Sequence, residues 1–505
     1  MAAVLPLCLL LVLLLAIPLL FLKTRRPPPA VRLPPGPWAL PVIGHLHHLA
    51  GALPHRALRD LARRHGPLMM LRLGELDAVV ASSPDAAREI MKTHGASFAS
   101  RPMTCIQQMA YGDDEGLIFA PYGEAWRQLR KICTVELLSS RRVQSFSSVR
   151  EEELGRLLRS VAASASSPVN LTEGISAYVA DATVRAIVGS QFKQRDAYLK
   201  MLHDGLEIVP GMTLPDIFPS SRLVRFFSSV PGRMLRHSQG MKQFMDAIIQ
   251  EHQESRMSGG GDGGDREEKD LLDVLLRLQK EANSEYPLTT DNIKTVMLDM
   301  FGAGSETAAT TLQWAMAELI RNPRVMRKAQ DEVRQHFAGQ GKVTEAGLAH
   351  LHYLRVVVKE TLRMRPPAPL LLPRVCGSPC QVLGFDVPEG AMVMVNAWAI
   401  GMDPAHWDAP EEFAPERFER NGRDFKGADF EFLPFGAGRR ICPGMAFGLA
   451  HVEIALAALL FHFDWELPGG MAAGDLDMTE QFGVTTSLRS DLVVVAVPRV
   501  PVPTE

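Results

Sequence analysis

The sequence predicts a mainly α-helical protein with a minor β part, built as a single large domain behind an N-terminal membrane segment. Three observations predict this arrangement. Helical periodicity dominates the chain after residue 80, β-type runs are short and few, and residues 2–22 are apolar throughout. A chain of 505 residues is long enough for about three domains, but no domain boundary or internal repeat is visible in the body.

The composition excludes several classes of protein. The chain has 54 Lys and Arg against 57 Asp and Glu, and its net charge is -3. This balance lacks the overall basic footprint of a nucleic-acid-binding protein. The 46% hydrophobic and 22% charged residues are typical of a globular chain, not of a disordered one. Its cysteines are scattered without paired zinc spacing, so we interpret Cys376 and Cys380 as ordinary thiols.

The N-terminus predicts a single-pass membrane anchor. Residues 2–22 form an apolar run that is long enough to cross the bilayer core of about 30 Å as a helix. The three cations within residues 23–26 then place the body on the cytosolic side of the membrane. A cleaved signal peptide is the alternative, but its charges would precede a shorter apolar core. Residues 23–37 are predicted to be a stiff, basic and Pro-rich linker, and residues 38–505 the folded domain.

The elements of the body follow from periodicity and turn residues. Leu68–Leu73 and Ala78–Val80 predict a β-hairpin around residues 74–75, and Ser83 with Pro84 predicts a capped helix start. The Gly-rich residues 258–264 predict a flexible connector, because no Lys-Ser/Thr pair follows as a phosphate loop requires. Further helices are predicted at 123–138, 143–163, 171–190, 236–256, 269–282, 290–321, 323–337 and 351–364, with strands near 379–395 and at 492–497.

Residues 435–444 carry the strongest chemical signal. Cys442 lies in a Gly-rich loop directly before an apolar helix that runs from about residue 445 to 460. The backbone N–H groups and the dipole of a helix start favour a thiolate at such a position. The glycines allow close approach of a large flat ligand, and Arg440 offers a cation for a carboxylate on that ligand. A purely structural cysteine at a helix start is the alternative interpretation.

The full spacing Phe-x-x-Gly-x-Arg-x-Cys-x-Gly decides between these interpretations, because it resembles the haem-binding loop of the cytochrome P-450 family. The resemblance implies the cytochrome P-450 fold, in which the Cys is the proximal thiolate ligand of haem b iron. It therefore implies that Cys442 is the metal ligand, that Arg440 pairs with a haem propionate, and that Phe435 and Gly438 belong to the cofactor site.

A second landmark lies midway along the longest predicted helix. Residues 302–307 contain Gly, Ser and Thr, which are poor helix formers together. Hydroxyls that bond preceding carbonyls, with missing Cβ atoms, can open a groove there. The stretch resembles the oxygen site of the family, which implies that Glu306 and Thr307 organise a proton relay. Asp is the commoner acid at the position of Glu306, so the relay geometry stays open.

Further landmarks appear in the family's order. Trp126 and Arg130 share one helix face, and the resemblance implies that they and Arg374 bind the haem propionates. Glu360, Arg363 and Arg417 match a structural ion-pair network beneath the haem, with no role in the chemistry. Met402 and Arg365 depart from the pattern of the plant microsomal branch numbered seventy-one, which is the most similar branch. These two departures place the local ion pairing in question, not the fold.

The resemblance implies a monooxygenase that uses NADPH electrons. No flavin or NADPH fingerprint is apparent in the chain, so the electrons are expected from a partner flavoprotein, the NADPH–cytochrome P-450 reductase, with cytochrome b5 as a further partner. A basic docking face for the reductase is predicted from Arg127, Lys131, Arg141, Arg142 and Arg439.

The predicted substrate is a hydrophobic small molecule. By resemblance, the residues of the pocket wall are mostly apolar, with Thr485 and Thr486 as polar exceptions. A sesquiterpenoid or diterpenoid fits such a wall, and phenolic, indole and oxime substrates are the alternatives. A reductase-independent haem-thiolate isomerase or dehydratase and a non-enzymatic haem protein are rival classes, which Glu306 and Thr307 disfavour. The predicted pocket-facing residues are Ile118, Phe119, Ala303, Leu370, Leu371 and Val484.

Overall fold

The computed structural model describes residues 31–111, 116–189, 212–258, 270–281 and 287–503, with single residues between 197 and 208. The predicted anchor at residues 2–22, the first part of the linker and most of the Gly-rich connector lie outside the described residues.

Helices make up most of the described chain, as the sequence predicts. Two π-helical turns, Glu89–Thr93 and Cys133–Leu137, extend the helices that precede them. The α-helices are α1 (Pro54–His65), α2 (Pro84–Arg88), α3 (Cys105–Tyr111), α4 (Glu124–Ile132), α5 (Ser140–Ser145), α6 (Ser147–Ala163), α7 (Leu171–Val188), α8 (Leu214–Ile217), α9 (Arg222–Phe227), α10 (Val230–Ser258), α11 (Leu271–Lys280), α12 (Thr290–Arg321), α13 (Pro323–His336), α14 (His352–Met364), α15 (Ala397–Gly401), α16 (Glu416–Asn421) and α17 (Met445–His462).

The strands form a small, separate part of the molecule. The largest sheet has the order β1-β2-β7-β4, in which only the β2–β7 pair is parallel. β3, β11 and β8 form a second sheet, while β5–β6 and β9–β10 are antiparallel hairpins. The strands are β1 (Leu68–Leu73), β2 (Leu76–Ala81), β3 (Pro168–Asn170), β4 (Arg374–Val375), β5 (Cys380–Val382), β6 (Phe385–Val387), β7 (Met392–Val395), β8 (Phe463–Glu466), β9 (Glu480–Phe482), β10 (Thr486–Leu488) and β11 (Val493–Pro498).

Helix α12 runs through the centre of the molecule. It packs against α7, α17 and α14, and most of its side chains outside residues 302–307 are buried. Thr289 caps its start in a capping box with Asn292. At 1.5 Å per residue, its 32 residues extend about 48 Å, enough to cross the whole body. The packing thus places the predicted oxygen-site residues deep in the interior.

Several predicted elements are confirmed, and three differ. Ser83 caps α2 and the predicted hairpin is β1–β2, but the predicted helix 143–163 is interrupted at Phe146. The backbone of Phe146 leaves the helical region (φ -93°, ψ 12°), and its side chain is buried in the core. The predicted helix 236–256 is longer, as α10.

The third difference concerns membrane-length helices. The sequence shows no second membrane-length run after residue 40, yet α17, with 18 residues, is apolar and long enough to span a membrane by those criteria. Among the described residues it is the one helix of this kind. Its side chains from Ile454 to His462 are buried in the protein core, so its apolar composition is explained by packing.

Candidate active site

A cavity of about 550 Å³ lies beside the middle of α12. Its wall is predominantly apolar, and it combines segments that are far apart in sequence. These are the loop after α3, the centre of α12, residues 367–372, the loop before α17 and the turn between β9 and β10. A cavity of this size and character is typical of small-molecule sites.

Cys442 lines this cavity from the loop before α17. Its backbone N–H donates to the carbonyl of Phe435 at 2.9 Å, and the backbone of Gly444 bonds to its sulfur. The sequence predicts a stabilised thiolate here, but burial raises the pKa of the Cys442 thiol above its usual value, with only partial compensation from Gly444 and Arg130. The loop and the helix start therefore offset only part of the desolvation cost of a thiolate at this position.

The two glycines before Cys442 have different roles. Both have positive φ, +68° at Gly436 and +69° at Gly438. Gly436 lines the cavity, whereas a Cβ on Gly438 would lie 2.0 Å from the carbonyl oxygen of Met91. Gly438 packs closely on the π-helical turn that contains Met91 and lies outside the cavity lining, and its predicted place in the cofactor site stays a prediction. Phe435 lines the cavity as predicted.

Four guanidinium groups line the same cavity: Arg101, Arg130, Arg374 and Arg440. Burial lowers the pKa of all four, to about 10 for Arg374 and about 9 for Arg440, and mutual repulsion adds to the effect at Arg101 and Arg440. Within the part of the chain that the structure describes, none of them pairs with a carboxylate. Backbone carbonyls hold them instead, including Ala437 for Arg374 at 3.2 Å and Ala99 for Arg440 at 2.6 Å.

Trp126 supports this cluster from behind. Its indole N–H donates to the carbonyl of Leu117 at 2.9 Å, and the guanidinium of Arg440 lies 3.9 Å from its ring centre. The indole lies outside the cavity lining. The indole of Trp126 therefore supports Arg440 through a cation–π contact, and its predicted contact with a propionate stays a prediction.

Arg101 was not predicted as a cofactor residue. The sequence around it, Ala-Ser-Arg-Pro, has no distinctive spacing. Its position depends on an isolated bridge between Ser100 and Val375, which brings it beside Arg374. Its guanidinium donates to the carbonyl of Pro373 at 2.8 Å, and its Nε is buried without a partner. Only the long-range pairing of β4 could have revealed this residue.

Glu306 and Thr307 both line the cavity from α12. The Thr307 hydroxyl donates to the carbonyl of Ala303 at 2.8 Å, the back-bonding that the sequence suggests for this helix. The carboxylate of Glu306 accepts a hydrogen bond from Thr485 at 2.9 Å. An acid and a hydroxyl thus face the cavity on successive residues, which suits them to hold and transfer protons.

Most of the predicted pocket-facing residues line the cavity. Ile118, Phe119, Ala303, Leu371 and Val484 all do. Leu370 does not, because it packs against the core cluster beneath β1 and β7. The backbone of Leu371 has a positive φ of 51°, and this turn brings Leu372 to the cavity in place of Leu370.

Asp299 is a buried acid of the cavity wall that sequence reasoning missed. One of its oxygens accepts the backbone N–H groups of Leu117 (2.7 Å) and Ile118 (3.1 Å), and the other accepts the hydroxyl of Tyr111 (2.9 Å). A Cβ on Gly116 would lie 2.9 Å from this carboxylate. Burial raises the pKa of Asp299 to about 6. The residue ties the loop after α3 to α12.

The predicted ion-pair network lies beneath the cavity. Glu360 accepts hydrogen bonds from Arg363 (2.8 Å) and Arg417 (2.9 Å), and all three are buried. The two departures noted in the sequence fit into the structure. Met402 contacts Arg363 through its sulfur at 3.4 Å, and Arg365 forms ion pairs with both Glu318 and Glu480.

Comparisons with known proteins agree with this geometry. The family model for cytochrome P-450 matches residues 34–490. Premnaspirodiene oxygenase of Hyoscyamus muticus is 46% identical over 93% of both chains, and desmethyl-deoxy-podophyllotoxin synthase of Sinopodophyllum hexandrum is 48% identical over 92% of this chain and 91% of its own. A zebrafish cytochrome P-450 solved with progesterone superposes with a TM-score of 0.75 at 26% identity, over 89% of this chain and all of its own.

The chain belongs to the cytochrome P-450 family. It is an oxidoreductase of the monooxygenase type, in the plant branch numbered seventy-one that the sequence indicates. The family implies a haem group, and the residues fit one. A thiol lines the cavity together with four guanidinium groups that pair with no carboxylate among the described residues, and the Nε of Arg101 is buried without a partner. The two carboxylates of a haem would pair with these cations.

Proposed function

We propose that the chain is a membrane-anchored monooxygenase that inserts one oxygen atom from O2 into an apolar, terpenoid-type hydrocarbon. The observation that carries the proposal is the single cavity that joins a thiol, a cluster of cations and an acid–hydroxyl pair within an apolar wall. Premnaspirodiene oxygenase is named for a diene, and dolabradiene monooxygenase of Zea mays, also named for a diene, is 46% identical.

In this proposal Cys442 ligates the haem iron, and Arg101, Arg130, Arg374 and Arg440 pair with its propionates. Gly436 leaves room beside the thiol. When bound, the haem supplies the activation of O2 with two electrons that originate from NADPH. The overall balance is substrate, O2, NADPH and a proton to alcohol, water and NADP⁺.

The residues of the chain supply position and protons. Ile118, Phe119, Leu371 and Val484 exclude water and orient an apolar substrate by packing, because they offer no directional polar contact. The Glu306 carboxylate and the Thr307 hydroxyl hold and transfer protons at the α12 wall. Leu372 adds apolar surface to the cavity wall, next to Pro373, whose carbonyl accepts a hydrogen bond from Arg101.

The proposed cellular setting has two parts, a membrane anchor near the N-terminus and a basic face that binds the redox partners. Residues 2–22 anchor the chain in the endoplasmic reticulum membrane, residues 23–37 act as the linker, and residues 38–505 form the cytosolic haem domain. The reductase, with cytochrome b5 as a further partner, docks on the predicted basic face. Lys131, Arg141 and Arg439 of this face are exposed, whereas Arg127 already pairs with Glu124.

Microsomes that contain the chain and the reductase test this proposal with a panel of sesquiterpene and diterpene hydrocarbons. We expect NADPH-dependent products with one added oxygen, and a loss of product per NADPH in Thr307→Ala. Turnover without NADPH would instead establish an isomerase or dehydratase. A phenolic, indole or oxime substrate converted in place of the hydrocarbons would overturn the substrate class.

A further inference from the structure

We propose that Thr485 is a positioning residue for the carboxylate of Glu306, so that the proton relay depends on the C-terminal hairpin as well as on α12. This inference rests on the proposed function. The Thr485 hydroxyl donates to Oε1 of Glu306 at 2.9 Å. Across the described residues, no other hydrogen bond or ion pair reaches this carboxylate. Its other oxygen is therefore left for the cavity.

The direction of the Thr485 hydroxyl is fixed by a second hydroxyl. Thr310 lies one helical turn after Glu306, and its Oγ1 is 3.3 Å from that of Thr485. Both threonines are buried, with exposed fractions of 2% and 5%. The Thr485 hydroxyl has one proton, which it donates to Glu306, so it accepts from Thr310. The three side chains form one ordered series that begins at the cavity.

The hairpin that carries Thr485 is held firmly at its base. The backbone N–H of Thr486 donates to the carbonyl of Pro367 at 2.8 Å, and the indole of Trp314 donates to the carbonyl of Thr486 at 2.9 Å. Glu480, at the start of β9, pairs with His55, Arg56 and Arg365. Thr485 lies in the turn of this hairpin and lines the cavity, so its position is set before any substrate enters.

The length of the Glu306 side chain gives this contact its importance. Glu has one more rotatable bond than Asp, and an unheld carboxylate would sample several rotamers across the cavity wall. The bond to Thr485 selects one of them. A proton-transfer group must lie within hydrogen-bonding reach of its partner, so the loss of Thr485 lowers the fraction of Glu306 in the productive geometry without altering the apolar wall.

The test compares Thr485→Val, Thr485→Ser and the matched control Thr486→Val. The structure places Thr486 outside the cavity lining, contrary to the prediction that it belongs to the pocket wall, and its hydroxyl is buried in the same hairpin without a hydrogen-bond partner. We expect Thr485→Val to lower product per NADPH about fivefold, the equivalent of one hydrogen bond, with a nearly unchanged KM. Thr485→Ser and Thr486→Val should behave as the wild type. In a Glu306→Gln background, Thr485→Val should cause little further loss of product per NADPH.

A spectroscopic measurement separates this inference from the proposed function. The stretching frequency of carbon monoxide bound to the reduced haem protein reports the polar groups of the cavity without turnover. We expect Thr485→Val and Glu306→Gln to shift this band, and Thr486→Val to leave it unchanged. The inference is overturned if Thr485→Val matches the wild type in both measurements while Glu306→Gln changes both. Absence of any NADPH-dependent product from the wild type would overturn the proposed function. The comparison of carbon monoxide stretching bands would still test the hydrogen bond between Thr485 and Glu306.

Discussion

Asp299 joins three parts of the cavity wall through one carboxylate. It accepts hydrogen bonds from Tyr111, Leu117 and Ile118, and the carbonyl of Leu117 in turn accepts from Arg440 at 3.2 Å. The same loop therefore serves the apolar wall and the cation cluster. A change at Asp299 should disturb both, although no sequence motif singles this residue out within its predicted helix.

Removal of the Asp299 carboxylate should destabilise the protein. Asp299→Ala leaves two buried backbone N–H groups unsatisfied, which costs about 2–4 kcal/mol of unfolding free energy. Asp299→Asn keeps an acceptor and should lose much less. Chemical denaturation of the haem-loaded protein measures the difference. Equal stability of the Ala variant and the wild type would contradict the anchoring role.

The same carboxylate predicts a dependence of stability on pH. Because burial raises the pKa of Asp299 to about 6, the folded protein holds this proton more tightly than the unfolded chain, where the pKa is about 3.9. The contribution of Asp299 is therefore most favourable below pH 4 and is lost as the pH rises to about 6. Denaturation of Asp299→Asn across pH 4–7 should lack this contribution. A difference between the wild type and Asp299→Asn that stays constant over this range would be evidence against the raised pKa.

The cation cluster predicts the strength of haem retention. Arg101→Leu removes one of four guanidinium groups that lack a carboxylate partner, and charge-assisted hydrogen bonds contribute about 1.5–3 kcal/mol each. Haem transfer to apomyoglobin should therefore be about tenfold faster or more. The control is Arg127→Leu, since Arg127 is exposed and pairs only with its neighbour Glu124. An unchanged transfer rate in Arg101→Leu would exclude Arg101 from cofactor binding.

At the scale of single residues, the sequence predicts those site residues that lie together in one short motif. Cys442 and Arg440 lie in one ten-residue motif, so their proximity follows from the motif itself. Arg101 and Asp299 carry no such signal, because their partners are segments more than 180 residues away. The resemblance assigns Trp126 and Gly438 to the cofactor site, whereas their contacts with Leu117 and Met91 depend on tertiary packing that the sequence does not reveal.

At the scale of elements, buried ion pairs fix how the helices around α14 meet the loop before α16. Glu360 on α14 accepts bonds from Arg363, Arg417 and the backbone N–H of Ala414. The spacing of Glu360 and Arg363 predicts one helix face, but only the packing shows that the pair is buried. An acid and a base at this spacing usually form an exposed ion pair that contributes little to stability.

Glu360→Ala should therefore be strongly destabilising. It leaves two buried guanidinium groups without an anion, which costs about 3–5 kcal/mol. Glu124→Ala breaks the exposed pair with Arg127 and should cost less than about 1 kcal/mol. Denaturation curves of both variants, recorded under the same conditions, make the comparison. If the two variants lost similar stability, the network would not have its assigned role.

Helix boundaries show what periodicity predicts and what it does not. The bounds of α12 agree with the predicted helix 290–321, since apolar periodicity and a capping Thr coincide there. The break at Phe146 was not predicted, because it depends on the burial of one aromatic ring against α17 and its neighbours. The sequence predicts Thr485 only as a polar residue of the pocket. It does not reveal the hydrogen bond to Glu306, which lies 179 residues away in the sequence.

At the scale of the whole molecule, the proposed topology places the body in the cytosol. Asn170-Leu171-Thr172 is a glycosylation sequon, and the Asn170 side chain caps α7 and donates to Asp491 at 2.8 Å. We expect this site to stay unmodified in cells, while a sequon added in an N-terminal extension becomes glycosylated. Glycosidase treatment followed by electrophoresis tests both. Modification of Asn170 would reverse the proposed orientation.

The central claim is that Cys442 is the haem ligand of this cavity. Its most direct test is the carbon monoxide difference spectrum of the reduced, membrane-expressed protein beside that of Cys442→Ala. The account predicts a red-shifted, thiolate-type Soret band in the wild type and its loss in the variant. A folded, haem-loaded wild type without this band would contradict the assignment of Cys442, and the roles proposed for Glu306, Thr307 and Thr485 would fail with it.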